Sequence, residues 1–159
     1  MLGIEMDGQG LLPEDLDLKL SNWDATKGKK PTLLYTISTG QNPTGLTQSM
    51  KRGKAIYEVA KIHDLAIIED DPYYFLQLEN KPVEFKPQAT AQPPIDEYLE
   101  QFPIPYLSPD VSGCVIRLDS TAKVLAPGLR CGWMTACPQI TAKFLARIEL
   151  SAVSPSGPS

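Results

Sequence analysis

Three short apolar runs, each cut off at once by turn-forming and polar residues, constrain the fold of this chain more than any other feature. Leu33–Ser38 (LLYTIS) runs into Gly40-Gln41-Asn42-Pro43-Thr44-Gly45, Leu65–Glu69 (LAIIE) into Asp70-Asp71-Pro72, and Cys114–Leu118 (CVIRL) into the irregular stretch Asp119–Gly128. Short runs rich in Leu, Ile and Val, bounded by Gly, Pro, Asn and Asp, read as buried strands rather than helices. Between the first two, Ile56, Val59, Ala60 and His63 fall on one helical face, with Thr47 placed to cap the helix. The order is strand, helix, strand, which joins parallel neighbours by a crossover. A further strand is expected at Cys131–Ala136, and Pro138 suits the first turn of a helix reaching about Leu150. The fold class that follows is α/β, a largely parallel sheet of about four strands with crossover helices, near the low end for such a domain.

The remaining segments say less. Leu11–Trp23 can form a short amphipathic helix, followed by a loop at Lys27–Pro31. Residues 79–113 carry Pro82, Pro87, Pro93, Pro94, Pro103, Pro105 and Pro109 and read as a long surface excursion, a kind of loop that is uncommon inside a compact domain. The start offers no obvious first strand and the last helix runs into SAVSPSGPS, so residues 1–159 are expected to be part of a larger domain.

Composition excludes several classes. A net charge of −4 with no basic block gives no electrostatic footprint for nucleic acid or an anionic membrane. No apolar run approaches the roughly 20 residues that span a bilayer, and the first residues lack the basic start and apolar centre of a signal peptide. Three cysteines, Cys114, Cys131 and Cys137, have neither metal-ligand spacing nor a disulfide framework, as expected of reduced thiols in a cytoplasmic protein.

Chemistry-bearing residues gather just after the strands: Asn42 after the first, Asp70 and Asp71 after the second, Ser120 and Lys123 after the third. In open α/β sheets ligands bind outside the carboxyl ends of the strands, so these groups are expected to face one crevice. Each alone reads equally well as an ordinary turn or capping residue. Lys123, flanked by Thr121-Ala122 and Val124-Leu125-Ala126, is expected to be buried, which would favour the neutral amine needed by a nucleophile. Arg130, seven positions on, offers a fork for a phosphate. The residues alone therefore indicate an anion-binding lysine site without selecting its ligand.

The string DSTAKVLAPGLRCGW (Asp119–Trp133) resembles the cofactor-lysine segment of fold-type-I aminotransferases that depend on pyridoxal 5'-phosphate (PLP). YTISTGQNPTG (Tyr35–Gly45) and IIEDDPYYFL (Ile67–Leu76) resemble two further segments of that family in the same order, and IEMDGQGLLPEDLDLKLSNWD resembles the leader of its fungal aromatic, 2-aminoadipate and kynurenine subgroup. The resemblance implies that residues 1–159 form part of the large, PLP-binding domain, without the small domain, and that a full-length form is a homodimer. It implies amino-group transfer between an amino acid, aromatic or 2-aminoadipate-like, and a 2-oxo acid. Lys123 would hold the cofactor and shuttle the substrate proton. Asp71 would pair with the pyridinium nitrogen, Tyr74 and Asn42 would bond the ring phenolate, and Ser120 and Arg130 would bind the phosphate. Asp70 is less favoured, because Asp71-Pro72-Tyr73-Tyr74 gives the family spacing. Thr121 and Ala122 stand where the family usually has Phe and Ser, which removes one phosphate hydroxyl, a contact worth about 1 kcal/mol. The alternatives are a truncated, catalytically incompetent aminotransferase-like segment and a non-catalytic PLP-binding module.

Elsewhere, His63 is expected to be structural or a helix cap. Trp133 and Phe144 are expected in the core, and Tyr73 either toward or away from the crevice.

Overall fold

A computed structural model describes residues 1–76, 95–96 and 102–153; most of the proline-rich stretch 79–113 lies outside the described residues. A two-stranded antiparallel ribbon, β1 (Met6–Asp7) and β2 (Gly10–Leu11), leads into helix α1 (Pro13–Ser21). Pro13 sits at the first helical position, where a missing N–H costs nothing, and Glu14 and Asp15 face the positive helix end. The sheet follows: β3 (Leu33–Thr36), β4 (Ala66–Asp70), β5 (Val115–Ser120) and β6 (Gly132–Thr135), side by side in that order. The first three are parallel and β6 is antiparallel to β5. Helix α2 (Met50–Ile62) makes the crossover from β3 to β4, and α3 (Pro138–Glu149) follows β6. The expected strands and helices and a largely parallel sheet are present, with β6 added antiparallel. The opening ribbon was not anticipated.

Period-two burial places Leu34, Ile67 and Val115 in one row across the sheet, all on the face covered by α1 and α2. There they meet Leu16 and Leu20 of α1 and Ile56, Tyr57 and Ala60 of α2. Ile56, Ala60, Ile67 and Val115 are fully buried. Burying a large aliphatic side chain contributes roughly 1.5–3 kcal/mol, so this row and its helices hold the sheet together. Asp110 sets where β5 starts. Its Oδ1 accepts from the Ser112 and Gly113 amides at 3.1 and 3.0 Å, its Oδ2 from the Val115 amide at 2.8 Å, and Tyr57 of α2 donates to it at 3.0 Å.

Three expectations are corrected. Thr47 does not cap α2: Ser49 does, accepting from the Arg52 amide, while Thr47 Oγ1 accepts from the Gly40 amide. Trp133 and Phe144 are not core; they are 48% and 41% exposed. Trp133 stands on the outermost strand, and no residue of α3 is buried. His63 does act structurally at the end of α2, its Nε2 lying 2.7 Å from Asp17 Oδ1 of α1. Among the described residues no helix is long and apolar enough to cross a membrane.

Candidate active site

The face that is apolar at Leu34, Ile67 and Val115 turns polar two residues further along each strand, and charged on β4 and β5. The next row on that face is Thr36, Glu69, Arg117 and, exposed at the sheet edge, Thr135, and beyond it come Asp71 and Asp119. Glu69, Asp71, Arg117 and Asp119 are all buried, at 0, 2, 7 and 9% exposure. Buried charges persist only when paired or hydrogen-bonded. Arg117 donates from Nε and Nη2 to the two Asp119 oxygens at 3.0 and 2.9 Å, and its Nη1 lies 3.5 Å from both Glu69 Oε2 and Asp71 Oδ2. Glu69 Oε1 accepts from Ser38 Oγ and the Tyr106 amide, each at 3.0 Å.

Asp71 sits at the carboxyl end of β4. Its Oδ2 accepts from Ser38 Oγ at 3.2 Å and Thr39 Oγ1 at 3.1 Å, both from the loop after β3. Its Oδ1 is buried without a hydrogen-bond partner among the described residues, as are Glu69 Oε2 and Arg117 Nη1. Burial pushes the Asp71 carboxyl up to about 6, with Arg117 pulling it down and Glu69 adding to the rise. Tyr74 stands three residues on, its ring 4.3 Å from the Arg117 guanidinium carbon. Its hydroxyl donates to the Pro103 carbonyl at 3.0 Å. Asp71, Tyr74, Ser38, Thr39 and Tyr106 share the wall of a cavity of about 240 Å3.

The other expected site residues are placed differently. Ser120 ends β5, half-buried, and its Oγ accepts from the Ala122 amide. Arg130 is exposed, with left-handed backbone at φ 52° and Nη1 donating to the Pro127 carbonyl. Asn42 is exposed in a turn closed by the Gly45 amide bonding to the Gln41 carbonyl, with a cis peptide to Pro43. It lines a different hollow, together with Leu33, Leu34 and Tyr35. Lys123 is exposed rather than buried, which corrects the expectation drawn from its apolar neighbours: Val124 and Leu125 are themselves exposed. Neither hollow is lined by Ser120, Lys123 or Arg130.

The three loops nevertheless meet at one end of the sheet. Lys123 Nζ lies 5.6 Å from the Tyr73 ring centre, and a β-carbon at Gly40 would lie 3.5 Å from Tyr73 Cβ. Tyr73, half-buried, thus bridges the loops after β3 and β5. Thr121 donates to the Cys131 carbonyl from both its amide and its hydroxyl, drawing the Lys123 turn back to the start of β6. Gly132 makes that return possible, since any β-carbon there would stand 2.8 Å from the Asp119 carbonyl oxygen.

Glu69, Arg117 and Asp119 were missed as site residues. The signal was in the strands themselves: charges at alternate positions, in phase with the buried apolar residues Ile67 and Val115.

No protein-family model matches the chain. Over 157 residues it is 49% identical to an aromatic amino acid aminotransferase of Schizosaccharomyces pombe, covering 97% of this chain and 33% of that protein. The crystal structure of the aminotransferase Aro8 from Candida albicans matches with a TM-score of 0.85 at 44% identity, covering 98% of this chain and 32% of that one. The kynurenine aminotransferase of Pyrococcus horikoshii, solved with PMP, matches with a TM-score of 0.77 at 30% identity, covering 97% and 33%. The chain spans about a third of the length of the curated relatives it matches. In sequence over nearly all of its residues, and in fold, the chain is homologous to the fold-type-I aminotransferases and corresponds to about a third of one.

Proposed function

We propose that this chain carries part of the PLP site of an aminotransferase that moves an amino group between an aromatic or 2-aminoadipate-like amino acid and a 2-oxo acid. The observation that carries the reading is Asp71: a nearly inaccessible carboxylate, beside Tyr74, with one oxygen bonded to two hydroxyls and the other left without a partner. A buried acceptor in that state fits a donor that the described residues do not provide, and a protonated ring nitrogen is such a donor. When bound, PLP would supply the electron sink for loss of the substrate Cα proton.

The residues divide the remaining work. Asp71 would hold the ring nitrogen in its protonated form, with Ser38 and Thr39 fixing the carboxylate. Lys123 would be the attachment point and would carry the proton at Nζ, its exposed position leaving it free to swing. Ser120 and Arg130 would bind the phosphate, and Tyr74 and Asn42 the ring hydroxyl. That role for Tyr74 requires its hydroxyl to leave the Pro103 carbonyl. Residues 1–159 would belong to the large, PLP-binding domain, with the small domain outside them and a second copy completing the site in a full-length homodimer. Three cysteines without disulfides accord with a cytoplasmic location.

The test is a titration of the purified chain with PLP followed by visible absorption. The reading predicts a saturable band that an aromatic amino acid discharges with release of its 2-oxo acid. A band of the same size in Lys123→Ala would overturn it.

A further inference from the structure

Two residues proposed to face the cofactor, Asp71 and Tyr74, both lie against a third, Arg117. Arg117 points from the middle of β5 into the buried face, directly across from Glu69 in the strand register. Its Nε and Nη2 each donate to one oxygen of Asp119, a planar two-bond pairing that fixes the guanidinium plane. With the plane fixed, Nη1 is held 3.5 Å from Asp71 Oδ2 and from Glu69 Oε2, and the cation stacks against the Tyr74 ring at 4.3 Å. One cation therefore serves three buried carboxylates and one aromatic ring.

From this geometry, and resting on the cofactor reading above, we infer that Arg117 is a positioning residue: locked by Asp119, it keeps Asp71 ionised and sets the Tyr74 ring. The groups facing Asp71 are Glu69 from β4, Arg117 and Asp119 from β5, the hydroxyls of Ser38 and Thr39, and Tyr74. Arg117 is the sole cation among these. Its removal leaves only the Ser38 and Thr39 hydroxyls to oppose burial and Glu69, so the Asp71 carboxyl rises further and protonates more readily. A protonated Asp71 has no charge with which to hold a cationic ring. Lysine at 117 would keep the charge but lose the planar fork, so it would neither pair with Asp119 in the same way nor stack flat on Tyr74.

The test measures PLP affinity by visible absorption across a pH series in the unmutated chain, Arg117→Lys and Asp119→Asn, with Asp71→Asn as the reference. Asp119→Asn is nearly isosteric and loosens Arg117 without deleting it, so the test does not depend on one variant folding. The inference expects Arg117→Lys to bind PLP about tenfold more weakly, on the scale of one charge-assisted contact. It also expects Arg117→Lys to begin binding at higher pH than the unmutated chain, and Asp119→Asn, which unlocks the guanidinium but also removes one carboxylate from the cluster, to weaken binding by less. Unchanged affinity and an unchanged pH profile in both variants, with binding lost in Asp71→Asn, would overturn the role of Arg117 alone. Unaltered binding in Asp71→Asn would overturn the cofactor reading itself.

Discussion

Asp71→Asn should change the pH dependence of stability of the cofactor-free chain, and the size of the change follows from the burial of that carboxylate. In the folded chain burial raises the Asp71 carboxyl from its ordinary 3.8 to about 6. Each pKa unit corresponds to about 1.4 kcal/mol of difference between protonation states. Ionising Asp71 therefore costs the folded chain on the order of 3 kcal/mol relative to the unfolded one. The folded state holds this proton more tightly, so between about pH 4 and pH 6 it binds more protons than the unfolded state, and this contribution to stability falls as pH rises. Asparagine cannot ionise and lacks that slope. The stability of Asp71→Asn relative to the unmutated chain should thus rise by about 1–3 kcal/mol from the acid to the neutral side of the window, whatever constant offset the amide introduces. Urea unfolding followed by far-ultraviolet circular dichroism at several pH values measures the difference. Parallel pH profiles for the two chains, or a relative stability that falls toward neutral pH, would refute the argument.

Other consequences concern the scaffold. Asp110→Ala deprives the Ser112, Gly113 and Val115 amides of their acceptor and should lower the unfolding free energy by about 2–3 kcal/mol, read from the urea midpoint. Burial raises the Asp110 carboxyl, but the Val115 amide, Tyr57 and neighbouring amides outweigh it and hold it below the usual range. Its contribution is therefore present above the ordinary carboxylate pKa and lost as the pH falls through the lowered folded value. Gly132→Ala should cost about 1–3 kcal/mol by forcing a methyl against the Asp119 carbonyl, and hydrogen exchange should show the β5–β6 amides losing protection. Lys123→Ala, at an exposed turn, should change thermal stability by less than about 0.5 kcal/mol, so any loss of PLP binding reports on chemistry rather than folding.

The strand-and-turn punctuation was legible because a buried strand needs an uninterrupted apolar run, and Gly, Pro and Asp end it wherever the chain must turn. That placed β3, β4 and β5 and collected Asp71, Ser120 and Lys123 at one sheet end. Burial of Lys123 was not legible: its apolar neighbours occupy a turn, and burial there depends on what packs over it, not on composition. Trp133 and Phe144 fail for the same reason, since an apolar residue on an outer strand or an amphipathic helix indicates a face that could be covered without supplying the cover. The capping of α2 turned on a competition between two hydroxyls two residues apart, decided by the Gly40 amide, which engages Thr47 and leaves Ser49 to the helix. The Arg117 network escaped because a charge inside an apolar run reads as an interruption. Only the in-phase alternation of Val115, Arg117 and Asp119 reveals that all three point the same way.

The most direct test of the account is to add PLP to the chain, reduce with borohydride and locate the modified lysine by peptide mapping. The account predicts one modified residue per chain, at Lys123, and little modification at neutral pH in Asp71→Asn. Label spread over Lys27, Lys29, Lys51, Lys54 and the other surface lysines, with no preference for Lys123, would contradict it.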